Sequence, residues 1–216
     1  MQTWLNKTIR ENRTFLFFVA LMLVFRSAIA DWNEVPTGSM KPTIIEGDRI
    51  LVNKLAYDLR LPFTHISLWR FAHPKRGEII VFDSEVADKR LVKRVVGVPG
   101  DTVKMMDNVV FINNVPLTYS LVNDQGPIVE MIEHLEGADH SVRFGKYDST
   151  LSSFINIQVP EDRYLVLGDN RDNSADSRVI GFVDRDEIVG RSSTVVISLN
   201  YNNYYIPRSD RVWEQI

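Results

Sequence analysis

Three short segments hold nearly all the residues that could do chemistry: "PTGSMKPT" at 36–43, "KRVVGVPGD" at 93–101 and "GDNRDNSADSR" at 168–178. In the first, Ser39 stands between Gly38 and Met40 and is fenced by Pro36 and Pro42, which makes a short, stiff stretch around one hydroxyl. A serine becomes a nucleophile only beside a base that can take its proton. Histidine is the usual base, but His65, His73, His134 and His140 lie in polar, loop-like surroundings and read as surface residues. The G-x-S-x-G pattern fails at Thr37 and Lys41, and the S-x-x-K pattern fails at Pro42.

Lysine remains. In "LVKRVVGV" (91–98), strand alternation sends Lys93 to the face of Leu91 and Val95, and Arg94 to the face of Val92 and Val96. One of these charges is therefore pressed toward a core. Burial disfavours an ammonium ion, so a desolvated Lys93 loses its proton more easily and can act as general base toward a serine. The segment alone leaves open a second role, pairing of Lys93 with a carboxylate at the strand edge.

The third segment packs three aspartates, two arginines and two serines into eleven positions. Asp172, Ser174 and Asp176 have the first spacings of a calcium loop, but Ser177 stands where glycine is needed and Val183 where glutamate is needed, so no metal is expected. A self-satisfied loop is expected instead, with aspartates accepting from backbone N–H groups and Arg171 or Arg178 forking onto carboxylates.

The elements that must position these residues are mostly strands. "EIIVF" (78–82), "LVKRVVGV" (91–98), "NVVFI" (108–112), "FINIQV" (154–159), "RYLVLG" (163–168) and "STVVISL" (193–199) are short, rich in β-branched residues and bounded by turn formers. "FINNVPL" (111–117) predicts a hairpin turning at Asn113–Asn114. The reading is a mainly-β protein, with an antiparallel β-sheet core over 31–101 and 161–216. A less regular stretch, 102–160, forms an inserted smaller β lobe.

Ahead of this lies a membrane-directed segment. Lys7, Arg10 and Arg13 precede eleven unbroken apolar residues from Phe15 to Phe25. If Arg26 snorkels, a helix can continue to Ala30 and span marginally, giving a cytoplasmic flank (1–13), an anchor (14–30) and a chain that lies outside from Asp31. The rival is a secretory signal cut after Ala28-Ile29-Ala30. The remaining composition is that of an ordinary folded protein. A net charge of −3 gives no general affinity for nucleic acid, and the absence of cysteine excludes thiol nucleophiles and disulfides.

Taken in order, the three segments resemble the nucleophile, lysine and G-D-N-x-x-x-S-x-D-S-R boxes of the bacterial type I signal peptidases. "EGDRILVNK" and "HPKRGEIIVF" resemble that family's weaker boxes. The resemblance implies a membrane-bound serine endopeptidase of the inner membrane, single-pass, with its catalytic domain on the periplasmic side. It would remove signal peptides from exported preproteins at Ala-x-Ala-like sites, without metal or cofactor. It implies Ser39 as nucleophile, Lys93 as unprotonated base, Ser174 as the hydroxyl orienting Lys93, and Asp176 with Arg178 as a supporting ion pair. Thr37 would join the Ser39 N–H in the oxyanion hole. Val35, Met40, Ile44, Leu91 and Val92 fall at positions lining shallow pockets for small residues. Many Gram-negative relatives carry two membrane segments and a longer second domain, whereas this chain shows one segment and a short insertion. An enzyme dedicated to one pilin-like substrate, and an inactive peptide-binding domain, are the alternatives; the oligomeric state is not encoded.

Overall fold

A computed structural model describes residues 10, 12–64, 66–124, 126–147 and 149–216. Lys7 and His65, named above, lie outside these residues. One helix, Arg13–Ala28, leads into the β-structure. It ends at Ala28 and does not run on to Ala30: the Ile29 N–H makes the last helical bond, to the Phe25 carbonyl, and Ala30 already pairs with Asn53 as the first residue of β1 (Ala30–Glu34). Among the described residues no helix is long and apolar enough to cross a membrane.

The strands continue as β2 (Asp48–Asn53), β3 (Asp58–Arg60), β4 (Ser67–Arg70), β5 (Ile79–Ser84) and β6 (Lys89–Gly97). Then come β7 (Thr102–Met106), β8 (Val109–Ile112), β9 (Val115–Pro116), β10 (Thr118–Asn123), β11 (Ile128–Leu135), β12 (Ala138–Gly145) and β13 (Phe154–Gln158). The chain closes with β14 (Arg163–Leu167), β15 (Val183–Asp184), β16 (Ile188–Asn200), β17 (Ile206–Pro207) and β18 (Glu214–Gln215).

The main sheet is antiparallel in the order β1-β2-β16-β5-β6-β14-β15, with β17 and β18 added to β16. All six apolar runs named above fall on strands. "EIIVF" is apolar without alternation because both faces of β5 are covered. Ile79 and Val81 pack with Val35, Met40 and Ile44, while Ile80 and Phe82 pack with Val95, Tyr164 and Val166.

Strands β7 to β13 pair only with one another, as a four-stranded sheet β13-β7-β8-β9 and a three-stranded sheet β10-β11-β12. The predicted turn is there, with Asn113 and Asn114 at φ 51° and 68°. Val103, Met105 and Leu135 of this region share one core with Val96, Leu165 and Leu167, so the small sheets are packed onto the large one. His140 is not a surface residue as its polar neighbours suggested. It is buried on β12, where Nδ1 meets the Ala138 carbonyl at 3.0 Å and Nε2 lies 3.2 Å from Glu133 Oε1.

Two pairings set up the site. Strand β14 runs against β6 only from Gly97 to Arg94 and stops at Leu167, so the loop beginning at Gly168 leaves the sheet one residue from Lys93. Residues Lys89–Lys93 are paired to β5 on one side and to no strand on the other.

Candidate active site

The segment that carries Ser39 is clamped by its own apolar residues. Val35 and Met40, on either side of Ser39, are buried in one cluster with Ile44, Ile50 and Val81. Between them the chain makes one 3-10 turn, Gly38–Met40, with Thr37 at its N-cap. The first N–H groups of such a turn have no partner within it. Thr37 makes no side-chain bond to the turn either, which leaves its hydroxyl free.

Lys93 and Arg94 of β6 are both buried, and they leave it in opposite directions. Lys93 is 2% exposed; its Nζ stands 2.7 Å from Ser39 Oγ and donates to the Val92 carbonyl at 3.0 Å. The edge carboxylate considered as an alternative partner is not there: among the described residues Lys93 is in no ion pair, and Asp176 and Asp169 act on it only at a distance. Burial lowers its pKa to about 8, against the smaller upward pull of those two carboxylates. A lysine with the ordinary value is neutral in about 1 molecule in 3,000 at pH 7, and one titrating near 8 in about 1 in 10.

Arg94 turns the other way and forks onto Asp169, Nε to Oδ1 at 2.9 Å and Nη2 to Oδ2 at 2.8 Å. The Thr43 hydroxyl donates to the same carboxylate at 2.6 Å. One buried aspartate thus joins the Ser39 segment, the lysine strand and the loop after β14, and Arg94 and Thr43 hold its pKa down against the burial that would raise it. Asn170 adds a second tie. Its N–H donates to the Ser39 carbonyl at 3.0 Å, and its side-chain amide to the Gly38 carbonyl at 2.8 Å. Gly168 fills the remaining space, since a Cβ there would lie 2.5 Å from the Ser39 carbonyl oxygen and 2.6 Å from Ser174 Cβ. Arg94, Thr43, Asp169, Asn170 and Gly168 were given no site role above. Their signal was present in the density of polar residues at 168–172, but the partners lie 75 to 132 positions away in sequence.

The rest of the loop is self-satisfied only around Asp176; Asp172 and Arg171 find their partners outside it, at the Gly145 N–H and Glu133, and Arg171 Nε and Nη1, Asp172 Oδ1 and Ser174 Oγ have none among the described residues. Asp176 accepts from the Gly168 N–H at 3.0 Å and from Arg178 Nε and Nη2 at 2.8 and 2.7 Å. Arg178 also donates to the Leu151 and Arg171 carbonyls, each at 2.6 Å. Arg171 reaches out of the loop to Glu133 at 2.7 Å. Ser174 is buried in the lining of the cleft that holds Lys93, and its Oγ has no hydrogen-bond partner; the lysine amine is held by Ser39 and the Val92 carbonyl instead.

Ser39 and Lys93 lie in an open cleft of about 580 Å³. Val35, Met40, Leu91, Val92, Thr37 and Ser174 line it; Ile44 is fully buried in the core behind and does not. A larger cavity of about 780 Å³, near Arg60 and Arg185, is lined by charged residues and holds neither the buried lysine nor its serine.

A serine hydroxyl 2.7 Å from a buried lysine amine lies in a half-apolar cleft, and the comparisons with known proteins give the family. The family model described as signal peptidase, peptidase S26, matches residues 8–197. The chain belongs to the signal peptidase family S26. The signal peptidase I of Pseudomonas aeruginosa is 33% identical over 207 residues, covering 88% of this chain and 72% of that protein. That of Rickettsia typhi is 33% identical over 223 residues, covering 89% and 82%. A crystal structure of a signal peptidase I from Enterococcus faecalis V583 is 30% identical and covers 56% of this chain and 97% of that one, with a TM-score of 0.38, a superposition too poor to inform the fold. As a signal peptidase, the protein has preproteins as its substrates.

Proposed function

We propose that the protein is a membrane-anchored serine endopeptidase that cleaves preproteins after Ala-x-Ala-like sites with a Ser39/Lys93 dyad. The observation that carries this reading is the 2.7 Å approach of Lys93 Nζ to Ser39 Oγ, with the amine buried and its pKa brought down to about 8. Neutral Lys93 accepts the Ser39 proton as Oγ attacks the scissile carbonyl. The oxyanion forms toward the Ser39 N–H and the Thr37 hydroxyl, where one aimed donor is worth about 3 to 4 kcal/mol. The lysine ammonium then gives its proton to the departing amine, leaving the signal peptide esterified to Ser39. A water attacks that ester, with Lys93 again taking the proton; the bond to Ser39 Oγ then breaks, Lys93 returns the proton to that oxygen, and the freed peptide acid leaves. The unpartnered Ser174 hydroxyl is available to turn toward the amine when substrate displaces its bond to Ser39.

The cleft supports the specificity. A preprotein extended along the unpaired edge of Lys89–Lys93 would meet Val35, Met40, Leu91 and Val92 in the lining of the cleft, apolar side chains that suit alanine. The helix Arg13–Ala28 supports the anchor, for Phe15, Phe17, Leu21 and Leu23 are exposed around it, as suits a lipid-facing segment. Its cationic flank keeps the amino terminus in the cytoplasm and the β-structure outside. Incubating the detergent-solubilised protein with a preprotein bearing an Ala-x-Ala site tests the reading. Cleavage is expected, and is expected to vanish in Ser39→Ala and Lys93→Ala; full activity in Lys93→Ala would overturn the dyad.

A further inference from the structure

The cleft that holds Ser39 and Lys93 is cationic at its other end. Lys89 and Arg90, the first residues of β6, line it there with Trp32 and Asn33 of β1. That end adjoins the amino-terminal helix, for the Arg26 guanidinium lies 4.6 Å from the centre of the Trp32 ring. Most of the charges here are matched within the protein. Arg26 pairs with Asp31 at 2.7 Å, Lys54 reaches the same carboxylate at 3.6 Å, and Arg90 forks onto Asp83 at 2.7 and 2.9 Å. Glu34, a carboxylate that also lines the cleft, accepts from the Tyr201 hydroxyl. Lys89 is the exception. It is exposed, and among the described residues its ammonium group has neither an ion pair nor a hydrogen bond.

The direction of the substrate follows from the anchor. A preprotein whose apolar helix shares the bilayer with Arg13–Ala28 reaches the cleft from the helix end and is cut at the Ser39 end, so the residues before the cut lie along Lys89–Lys93. Lys89 stands four strand residues, about 13 Å, ahead of Lys93 and on the same face of β6. With the last residue before the cut beside Lys93, an extended chain brings the fifth level with Lys89, and the length of the lysine side chain takes in the fourth and sixth. The Lys89 charge is felt as far as the dyad: burial is the main cause of the lowered Lys93 pKa, and repulsion from Lys89 adds to it.

We propose that Lys89 is a specificity-determining residue that binds a carboxylate, aspartate or glutamate, about five residues before the cut and turns away preproteins with a basic side chain there. The inference rests on the reading of the protein as an endopeptidase that takes preproteins along the Lys89–Lys93 edge. The substrate carboxylate is the partner that Lys89 lacks within its own chain. A single exposed ion pair changes kcat/KM by roughly 2- to 5-fold, and a like charge acts by a similar factor in the opposite sense.

The test uses the full-length protein in a nonionic detergent at low salt. Its preproteins share one Ala-x-Ala site and differ only in carrying glutamate, glutamine or lysine at the fifth residue before the cut, with matching sets at the fourth and the sixth. The kcat/KM of each is read with the parent, Lys89→Gln and Lys89→Glu. In the parent the expected order is glutamate above glutamine above lysine, with steps of roughly 2- to 5-fold. The order should flatten in Lys89→Gln, reverse in Lys89→Glu, and fade at about 1 M salt, where the screening length is about 3 Å. The same order in Lys89→Glu as in the parent would overturn the assignment. So would equal values in the parent at all three positions, or a preference found only at residues after the cut. If the parent cleaves none of these preproteins, the endopeptidase reading falls and this inference falls with it; cleavage without charge preference sinks the inference alone.

Discussion

Asn170 holds the carbonyl of Ser39 with its backbone N–H and the carbonyl of Gly38 with its side chain, so two consecutive peptide groups of the nucleophile turn are fixed by one residue of a loop that is remote in sequence. Those peptide groups frame the Ser39 N–H, the donor on which the oxyanion would settle. Asn170→Ala removes the side-chain half of the clamp and keeps the backbone half. We expect kcat to fall by about 10- to 100-fold, the effect of a sub-ångström misplacement at a reacting centre, with thermal unfolding nearly unmoved. An unaltered kcat would show that the backbone bond alone fixes the turn.

Gly168 is predicted to be intolerant of any side chain. A methyl group there meets the Ser39 carbonyl and Ser174 at once, one of them backbone that cannot swing aside. Gly168→Ala should lower stability by about 1 to 3 kcal/mol and abolish cleavage. Denaturant melts and turnover measured together would check this; a fully active, fully stable variant would mean the loop yields freely.

The lysine makes a signed prediction. Its folded pKa, about 8, lies below its unfolded value near 10.5, so the unfolded chain holds the extra proton between those limits and stability rises with pH across them. Below pH 8 the folded state carries the full cost of the buried ammonium, about 3 kcal/mol. Lys93→Met should therefore be more stable than the parent by up to that amount at pH 7, and the gain should shrink as pH rises from 8 to 10.5. In the parent, kcat/KM should climb with pH through about 8 as the neutral amine forms. A stability gain independent of pH would mean that Lys93 titrates normally.

Ser174 separates catalysis from folding. Its buried oxygen has no partner, so Ser174→Ala loses no hydrogen bond on folding and should leave the melting temperature equal or higher. If the hydroxyl orients the amine once substrate is bound, kcat should still fall by about 10-fold or more. Equal kcat in the two proteins would remove Ser174 from the chemistry.

How much of this was legible in the sequence varies with how local the signal is. Lys93 could be singled out because strand alternation is a two-residue rule, and Asn113–Asn114 because a tight turn needs residues that accept positive φ. Strands β10 to β12 were read as irregular because their inward positions include Glu133 and His140, which interrupt the apolar period that would have marked them. Those polar residues are tolerated inside since Arg171, Tyr119 and the Ala138 carbonyl satisfy them, and Arg171 arrives from the far loop. The same distance hid Asn170 and Asp169: each acts through a partner that only the folded chain brings near. Helix length was overread because nothing in "SAIA" announces that Ala30 is claimed by Asn53.

That claim on Ala30 bears on how an enzyme lives beside its own target. Ala28-Ile29-Ala30 has the small-x-small form of the cleavage site proposed above, yet Ala28 closes a helix, the Ile29 carbonyl accepts from the Lys54 N–H at 2.9 Å, and Ala30 is a rung of β1. To be cut, this stretch would have to peel away from β2 and give up its ladder. On the proposed specificity, immunity here would be a matter of folded shape, and selectivity a test of freedom: a preprotein would qualify when the same three letters arrive as loose, extended chain.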